Sequence, residues 1–571
     1  MAPPSTKRGV YGPGTFTDLE FTPVPQECKR ILQHLAESTP GFTTDPAILD
    51  NVNFHGAEYP IIPGPLKSQA FAAVLHAMAG VVGSEISTMR GNATGNITID
   101  TDQAALYPAT PSLVTLDGKN VGELIASGEA SRVITDLDHG ALDLNPMYYR
   151  SWSIYPTKDP GVWYQIMGSL HPPELLRAFD LDPEAPAKTN DEAYQLIKAK
   201  LELYSARELE MKCMEKGLCG QTCYTPEAWR ETLMGKLLGK HPLINYKIQR
   251  QAVMTPPTPF SVTADKRPLA GIKIIELARV IAAPAAGAAL TAFGADVVRI
   301  QSPNLPDPNL LQLTLTAGKR TCALDLTKEE DKKQLYQLME EADVIIQAYR
   351  RGSLERRGFG INDLLEIANR RGKGIIYLDL NCYGTDGYYA ERPGWQQIAD
   401  AASGCSYVCG KAYGFPDGTA VLPSLPIADM LCGAVAAVNI MMAVRDRARH
   451  GGSYYGNASL TATDCAQVSE GFGLYQPEVV KKIQETHNFG PMTPDLHVED
   501  LLYVVVSAWM KTTDILKRNE IFSVFDKTPF GHSVRMLAPL VKYENAEVSP
   551  RWLTSSKPYC YDKEITFAED I

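Results

Sequence analysis

Between residues 268 and 303 the apolar positions fall into two short runs separated by a small-residue stretch. Ile272, Ile274, Ile275 and Leu277 form the first run, and Ala295 to Ile300 form the second, after Gly294. Between them Pro284, Gly287 and a series of alanines read as a helix. Strand, helix and strand in so few residues is what a right-handed βαβ crossover requires, so a parallel sheet is expected to start here. Gly287 and the alanines after it would let the helix sit close on that sheet.

A second pattern repeats. Residues 424–464 predict a long small-residue helix, a glycine turn and a strand, and residues 65–102 offer a weaker copy. The copies share an Ala-Ala-Val core (Ala72, Ala73, Val74 against Ala436, Ala437, Val438). They also share a Gly-Asn pair before a threonine-rich strand (Gly95, Asn96 against Gly456, Asn457). A fold built from two related halves would place helices 68–90 and 429–449 about an approximate two-fold axis. The segment 251–267, rich in proline and threonine, reads as the linker between halves.

Composition narrows the function classes. A chain of 571 residues with 44% hydrophobic and 21% charged residues can bury several cores. The net charge of -11 and the lack of basic runs argue against a nucleic-acid partner. The first residues lack the apolar core of a signal peptide, and the apolar stretch Leu431 to Val444 is too short to span a bilayer. No membrane partner is therefore expected. Eleven scattered cysteines do not suggest a disulfide framework, and a reducing, cytoplasmic compartment is expected. Cys219 with Cys223, and Cys405 with Cys409, have a spacing that could hold zinc, but no histidine pattern accompanies them, so no metal is expected.

Four motifs in order, that of residues 268–303, then GKRTCALDL at 318–326, EADVIIQAYRRGSLERRGFG at 341–360 and GIIYLDLNCYGTDGYYAERPGW at 374–395, resemble the family III CoA-transferases. Relatives of that family include formyl-CoA transferase, carnitine CoA-transferase and α-methylacyl-CoA racemase. The resemblance is clear over roughly 266–465. It implies an α/β protein with a Rossmann-like parallel-sheet large domain and a smaller α+β domain. It also implies a fused, trimmed version of the family's interlocked dimer, as a monomeric pseudo-dimer or a homodimer. On this reading residues 1–144 are an N-terminal extension with the first helical copy, 145–250 the small domain and 251–267 the linker. Residues 268–465 are the Rossmann-like domain, and 466–571 return to it.

The resemblance assigns chemistry to Asp429, in the stretch Ala428-Asp429-Met430-Leu431-Cys432-Gly433. A carboxylate there would attack an acyl-CoA thioester and form a mixed anhydride. Read from the residues alone, an aspartate at this place is more often a helix N-cap, and the surrounding motif reverses that reading. Pro65 stands at the matching place in the first copy, which leaves one active centre. Further catalytic candidates are Gln396, after Pro393-Gly394-Trp395, Asp400 one helical turn later, and His171 after a small-domain strand. Gln396 cannot ionise, and Trp395 stands where racemase-like members carry histidine, which speaks against the racemase branch.

For coenzyme A, expected as the acyl-CoA co-substrate beside a small carboxylic acid, the candidates are Arg279, Lys319, Arg320, Tyr349, Arg350 and Arg356. Ser302 replaces the family's arginine after the second strand, with Arg299 nearby. Ala348-Tyr349 keeps the aromatic but not the amide of the adenine site, and the family's glycine-rich loop is not visible. Three readings stay open: transfer of CoA between carboxylic acids, CoA-independent isomerisation or cyclisation of a hydrophobic metabolite on the same scaffold, and a non-catalytic binding protein.

Overall fold

The computed structural model describes residues 6–138, 145–249 and 254–568. Its largest sheet has seven strands. In spatial order they are Asn245–Gln249, Ser453–Ser459, Ile376–Asn381, Val344–Gln347, Lys273–Leu277, Asp296–Gln301 and Arg320–Ala323. All pair in parallel except Asn245–Gln249, which lies antiparallel at one edge. The expected βαβ unit is Lys273–Leu277, the helix Ala282–Ala292 and Asp296–Gln301. Gly287 is required: a Cβ there would lie 1.9 Å from Glu276 Oε2, on the strand beneath.

The two helical copies are the helices Ser68–Met89 and Ile427–His450. They pack on each other, and the second also packs on Ala282–Ala292. Both are longer than the apolar stretch Leu431 to Val444 suggested, and both have the length and hydropathy of a membrane span. Their most apolar windows are 89% and 100% buried, which accounts for helices apolar on every side.

The surroundings of the two helices match. The second connects the parallel strands Ile376–Asn381 and Ser453–Ser459, beside which Asn245–Gln249 runs antiparallel. The first precedes Ile97–Asp100, which pairs in parallel with Val52–His55 and antiparallel with Val541–Tyr543. Each added edge strand comes from the opposite half of the chain. Each is tied to the helix of the half that it joins: Tyr543 Oη donates to Gly80 O at 2.7 Å, and Asn439 Nδ2 donates to Asn245 O at 2.9 Å. Ion pairing between Arg445 and Glu85 at 2.6 Å joins the helices themselves. The chain is therefore an interlocked pair of unequal halves. Counted from their first residues, Asp429 is third in one helix and Ala70 third in the other, and Pro65 precedes the first helix. Neither Ala70 nor Pro65 is an acid.

Two boundaries differ from expectation. A three-stranded antiparallel sheet (Ile154–Pro156, Trp163–Met167, Cys219–Thr222) packs with helices around Tyr155, Tyr164, Phe179, Ile197 and Leu209. The chain leaves this small domain after Thr222, and Asn245–Gln249 belongs to the large sheet, not to a domain ending at 250. The C-terminal segment returns to both halves. Phe522–Phe525 and Val534–Leu537 form a sheet with Thr115–Leu116 and Lys119–Asn120, whereas Asp562 and Phe567 dock on the large sheet. Residues 251–253 of the expected linker lie outside the described residues.

Candidate active site

A helix joining two parallel strands runs back against them, so its N-terminus lies at the carboxyl edge of the sheet. Asp429, in the first turn of Ile427–His450, is therefore on that edge, as are the loops after Lys273–Leu277 and Val344–Gln347. Those two strands are neighbours whose following strands lie on opposite sides, which makes the gap between them the switch point where open α/β sheets bind ligands.

Asp429 is not a cap. The N-cap position is Pro426, and no side chain caps the helix. The Asp429 carboxylate accepts no hydrogen bond among the described residues and is 8% exposed. Burial pushes its carboxyl up to about 7. A buried, unpartnered carboxylate is costly as mere architecture and marks a group held for chemistry. One turn later Gly433 lets the helix close on its neighbour: a Cβ there would lie 2.5 Å from Ala282 O and 2.8 Å from Ala285 Cβ.

Gln396 and Asp400 stand where the sequence suggested, one turn apart on the helix Gln396–Ser403. Gln396 Nε2 donates to Leu425 O at 3.0 Å and so fixes the turn that starts the Asp429 helix. Asp400 meets Asp464, from the helix Leu460–Gln467, carboxyl to carboxyl, and both are 0% exposed. Burial is the main cause that raises both, and Asp429 adds its charge to their surroundings. Gln467 Nε2 donates to Asp464 Oδ1 at 3.0 Å, and Ser68 Oγ of the other half donates to Gln467 Oε1 at 2.7 Å. Asp464 escaped the sequence reading. Its one signal is an acid in a helix of small residues, Leu-Thr-Ala-Thr-Asp.

The cofactor candidates divide by edge. Arg279 follows the first strand of the switch point and donates to Pro306 O at 2.8 Å, with its guanidinium 5.9 Å from the centre of the Tyr349 ring. Arg350 follows Tyr349, is exposed, and donates to Gly217 O of the small domain at 3.2 Å. Arg356 is exposed in the same loop, with no carboxylate partner among the described residues. Val280 holds φ 64°, a strained value for a β-branched residue, and its N–H donates to Asp307 Oδ1 at 2.9 Å.

Lys319 and Arg320 are not in this group, because they sit at the amino end of the strand Arg320–Ala323, on the opposite edge. Lys319 is buried against Glu276 Oε2 at 2.6 Å and Pro284 O at 2.7 Å, and burial lowers it to about 8. Arg320 is paired with Asp296 at 2.7 Å. Arg299 is buried between Asp307, at 2.6 Å, and Glu276, so it cannot replace the arginine absent at Ser302. This internal ion cluster instead holds the Val280 loop through Asp307 and the start of the Ala282–Ala292 helix through Lys319.

His171 is exposed at the start of the helix Pro172–Ala178 and is not gathered with the carboxylates. Ser169, two residues earlier, takes the Trp395 indole N–H at 2.8 Å. Tyr383 Oη donates to Gln221 Oε1 at 2.6 Å and Arg392 donates to Gly220 O at 2.8 Å, so the small domain covers this edge of the sheet. All eleven cysteines are free. Among the described residues no three His, Cys, Asp or Glu side chains are grouped to hold a metal.

The sequence profile of CoA-transferase family III matches residues 269–508. A protein of Gibberella moniliformis (strain M3125 / FGSC 7600) named Acyl-CoA transferase is 49% identical over 567 residues, 99% of each chain. The chain belongs to CoA-transferase family III. Acetyl-coenzyme A transferase nodX of Hypoxylon pulicicidum is 27% identical over 523 residues, 88% of this chain and 86% of that one. The Succinyl-CoA--L-malate CoA-transferase beta subunit of Chloroflexus aurantiacus is 32% identical over 241 residues, 39% of this chain and 56% of its own. Membership makes the protein a transferase and favours the first of the three readings over the other two.

Proposed function

We propose that the protein moves CoA from an acyl-CoA to a carboxylic acid through Asp429. The Asp429 carboxylate attacks the thioester carbonyl, the C–S bond breaks, and CoA leaves as thiolate from an acyl-aspartyl anhydride. The thiolate attacks the aspartyl carbonyl, which releases the donor acid and leaves CoA on Asp429. The acceptor carboxylate then displaces that thiolate to form a second anhydride. Attack by the thiolate on the acceptor carbonyl gives the new acyl-CoA and frees Asp429. Every step exchanges acyl groups between carboxylate and thiolate, so no oxidant or metal enters the balance.

The observation that carries this reading is the unpartnered, buried carboxylate of Asp429 at a helix N-terminus. There the helix dipole and free N–H groups favour a developing oxyanion. Arg279, Arg350 and Arg356, in the loops after the two switch-point strands, would meet CoA phosphates, and Tyr349, against which Arg279 lies, would take the adenine. Asp429→Asn keeps the shape and removes the nucleophile. CoA transfer from acetyl-CoA to a panel of carboxylic acids should then fall to background, with a melting temperature no lower than that of the parent protein. Full turnover in the folded variant would refute the covalent role.

A further inference from the structure

A cavity of about 50 Å³ lies between the helix Ala282–Ala292, the first long helix and the C-terminal stretch that carries Leu537 and Trp552. Met430, the residue after Asp429, forms part of its wall, with Ala285, Ala288 and Leu315. Three polar groups of the wall have no partner among the described residues: His76 Nε2, Tyr107 Oη and Thr314 Oγ1. They belong to side chains that are 7%, 8% and 3% exposed. His76 and Tyr107 stand edge to face at 4.5 Å between ring centres. Each unmade bond costs about 1–3 kcal/mol, so three in one apolar space point to a ligand that makes them.

Among the described residues of this wall none is Lys, Arg, Asp or Glu. Burial lowers His76 to about 4, so the imidazole is neutral near pH 7. A carboxylate or phosphate would find no counter-charge here, and a bare hydrocarbon would leave the three groups unpaired. The volume suits the end of a chain rather than a whole acyl group.

We infer that this cavity binds the neutral, oxygen-bearing end of an apolar chain, a hydroxyl, ketone or ester group, and that in catalysis the chain is the acyl group carried to Asp429. The identity of the chain rests on the proposed CoA transfer, whereas the cavity's ligand class does not.

Two measurements separate these points. Saturation-transfer NMR with methyl butyl ketone, a neutral chain with one acceptor, should show binding to the full-length protein. Ala288→Leu, which fills the space, should abolish it. In steady-state assays with acetyl-, hexanoyl-, hydroxyhexanoyl- and succinyl-CoA, Ala288→Leu should lower kcat/KM for the two hexanoyl substrates relative to acetyl-CoA by about ten-fold or more. Tyr107→Phe and Thr314→Val should each reduce the preference for hydroxyhexanoyl- over hexanoyl-CoA by about five- to ten-fold. They should also raise the melting temperature of the unliganded protein, because an orphan hydroxyl is removed. Absence of ketone binding, or an unchanged hexanoyl-to-acetyl ratio in Ala288→Leu, would overturn the inference even if CoA transfer is intact. Ketone binding lost in Ala288→Leu, with no transfer from any thioester, would uphold the cavity and refute the transfer reading.

Discussion

Asp400 and Asp464 face each other carboxyl to carboxyl, without solvent, in the field of Asp429. Two such groups cannot both ionise cheaply, so the pair keeps at least one proton where isolated carboxyls would have none. Cys405, whose Sγ donates to Asp464 O at 3.6 Å, is pushed up by the same burial and adds no compensating charge.

The pair fixes a direction for stability against pH. Asp400, Asp464 and Asp429 are all raised in the folded state, so their contribution is full below the unfolded carboxyl value. It is lost as pH rises through the folded values. The melting temperature should fall between about pH 5 and about pH 8. Asp464→Asn should raise it at about pH 8 and flatten the curve. A melting temperature that climbs over this range would contradict the assignment.

The two edges of the large sheet predict opposite behaviour for cations paired in sequence. Arg279→Ala should raise the KM for acyl-CoA by about ten-fold with unchanged stability, and added salt should shrink the difference. Arg320→Ala removes a part-buried pair with Asp296 and should leave KM unaltered while costing about 1–3 kcal/mol of stability. Lys319→Ala leaves buried Glu276 with only the more distant Arg299 and the cluster one cation short, and should destabilise by about 3–5 kcal/mol. Denaturant melts and acyl-CoA titrations on the three variants check this together.

The exchanged strands predict that the halves stay together after the linker is cut. Residues 258–266 are largely exposed, and a protease site inserted there severs the covalent link only. Asn245–Gln249 and Val541–Tyr543 still cross between halves. The nicked protein should elute as one particle and melt in one transition near the intact value. Two separable halves would show that the interlock contributes little.

The parallel sheet and both long helices are legible in the sequence because periodicity and small-residue runs are local. Asp429 is legible because its neighbours, from Ala428 to Gly433, form one continuous motif. Asp464, the Arg299–Asp307 pair and the burial of Lys319 are not, because each depends on segments that meet only in the fold. The small-domain boundary fails for the same reason: Asn245–Gln249 looks like any short strand until Ser453–Ser459 lies beside it. Lys319 and Arg320 also show how a basic pair can mislead, since strand direction decides which edge of the sheet it occupies.

The central claim is that Asp429 carries the acyl group and CoA in turn. The most direct test is to incubate the enzyme with acetyl-CoA, quench with hydroxylamine or borohydride, and map the modified peptide by mass spectrometry. The account predicts a hydroxamate or a reduced side chain at Asp429, dependent on acetyl-CoA and absent in Asp429→Asn. Turnover with Asp429 unmodified, or with the trapped adduct on Asp400 or Asp464, would contradict it.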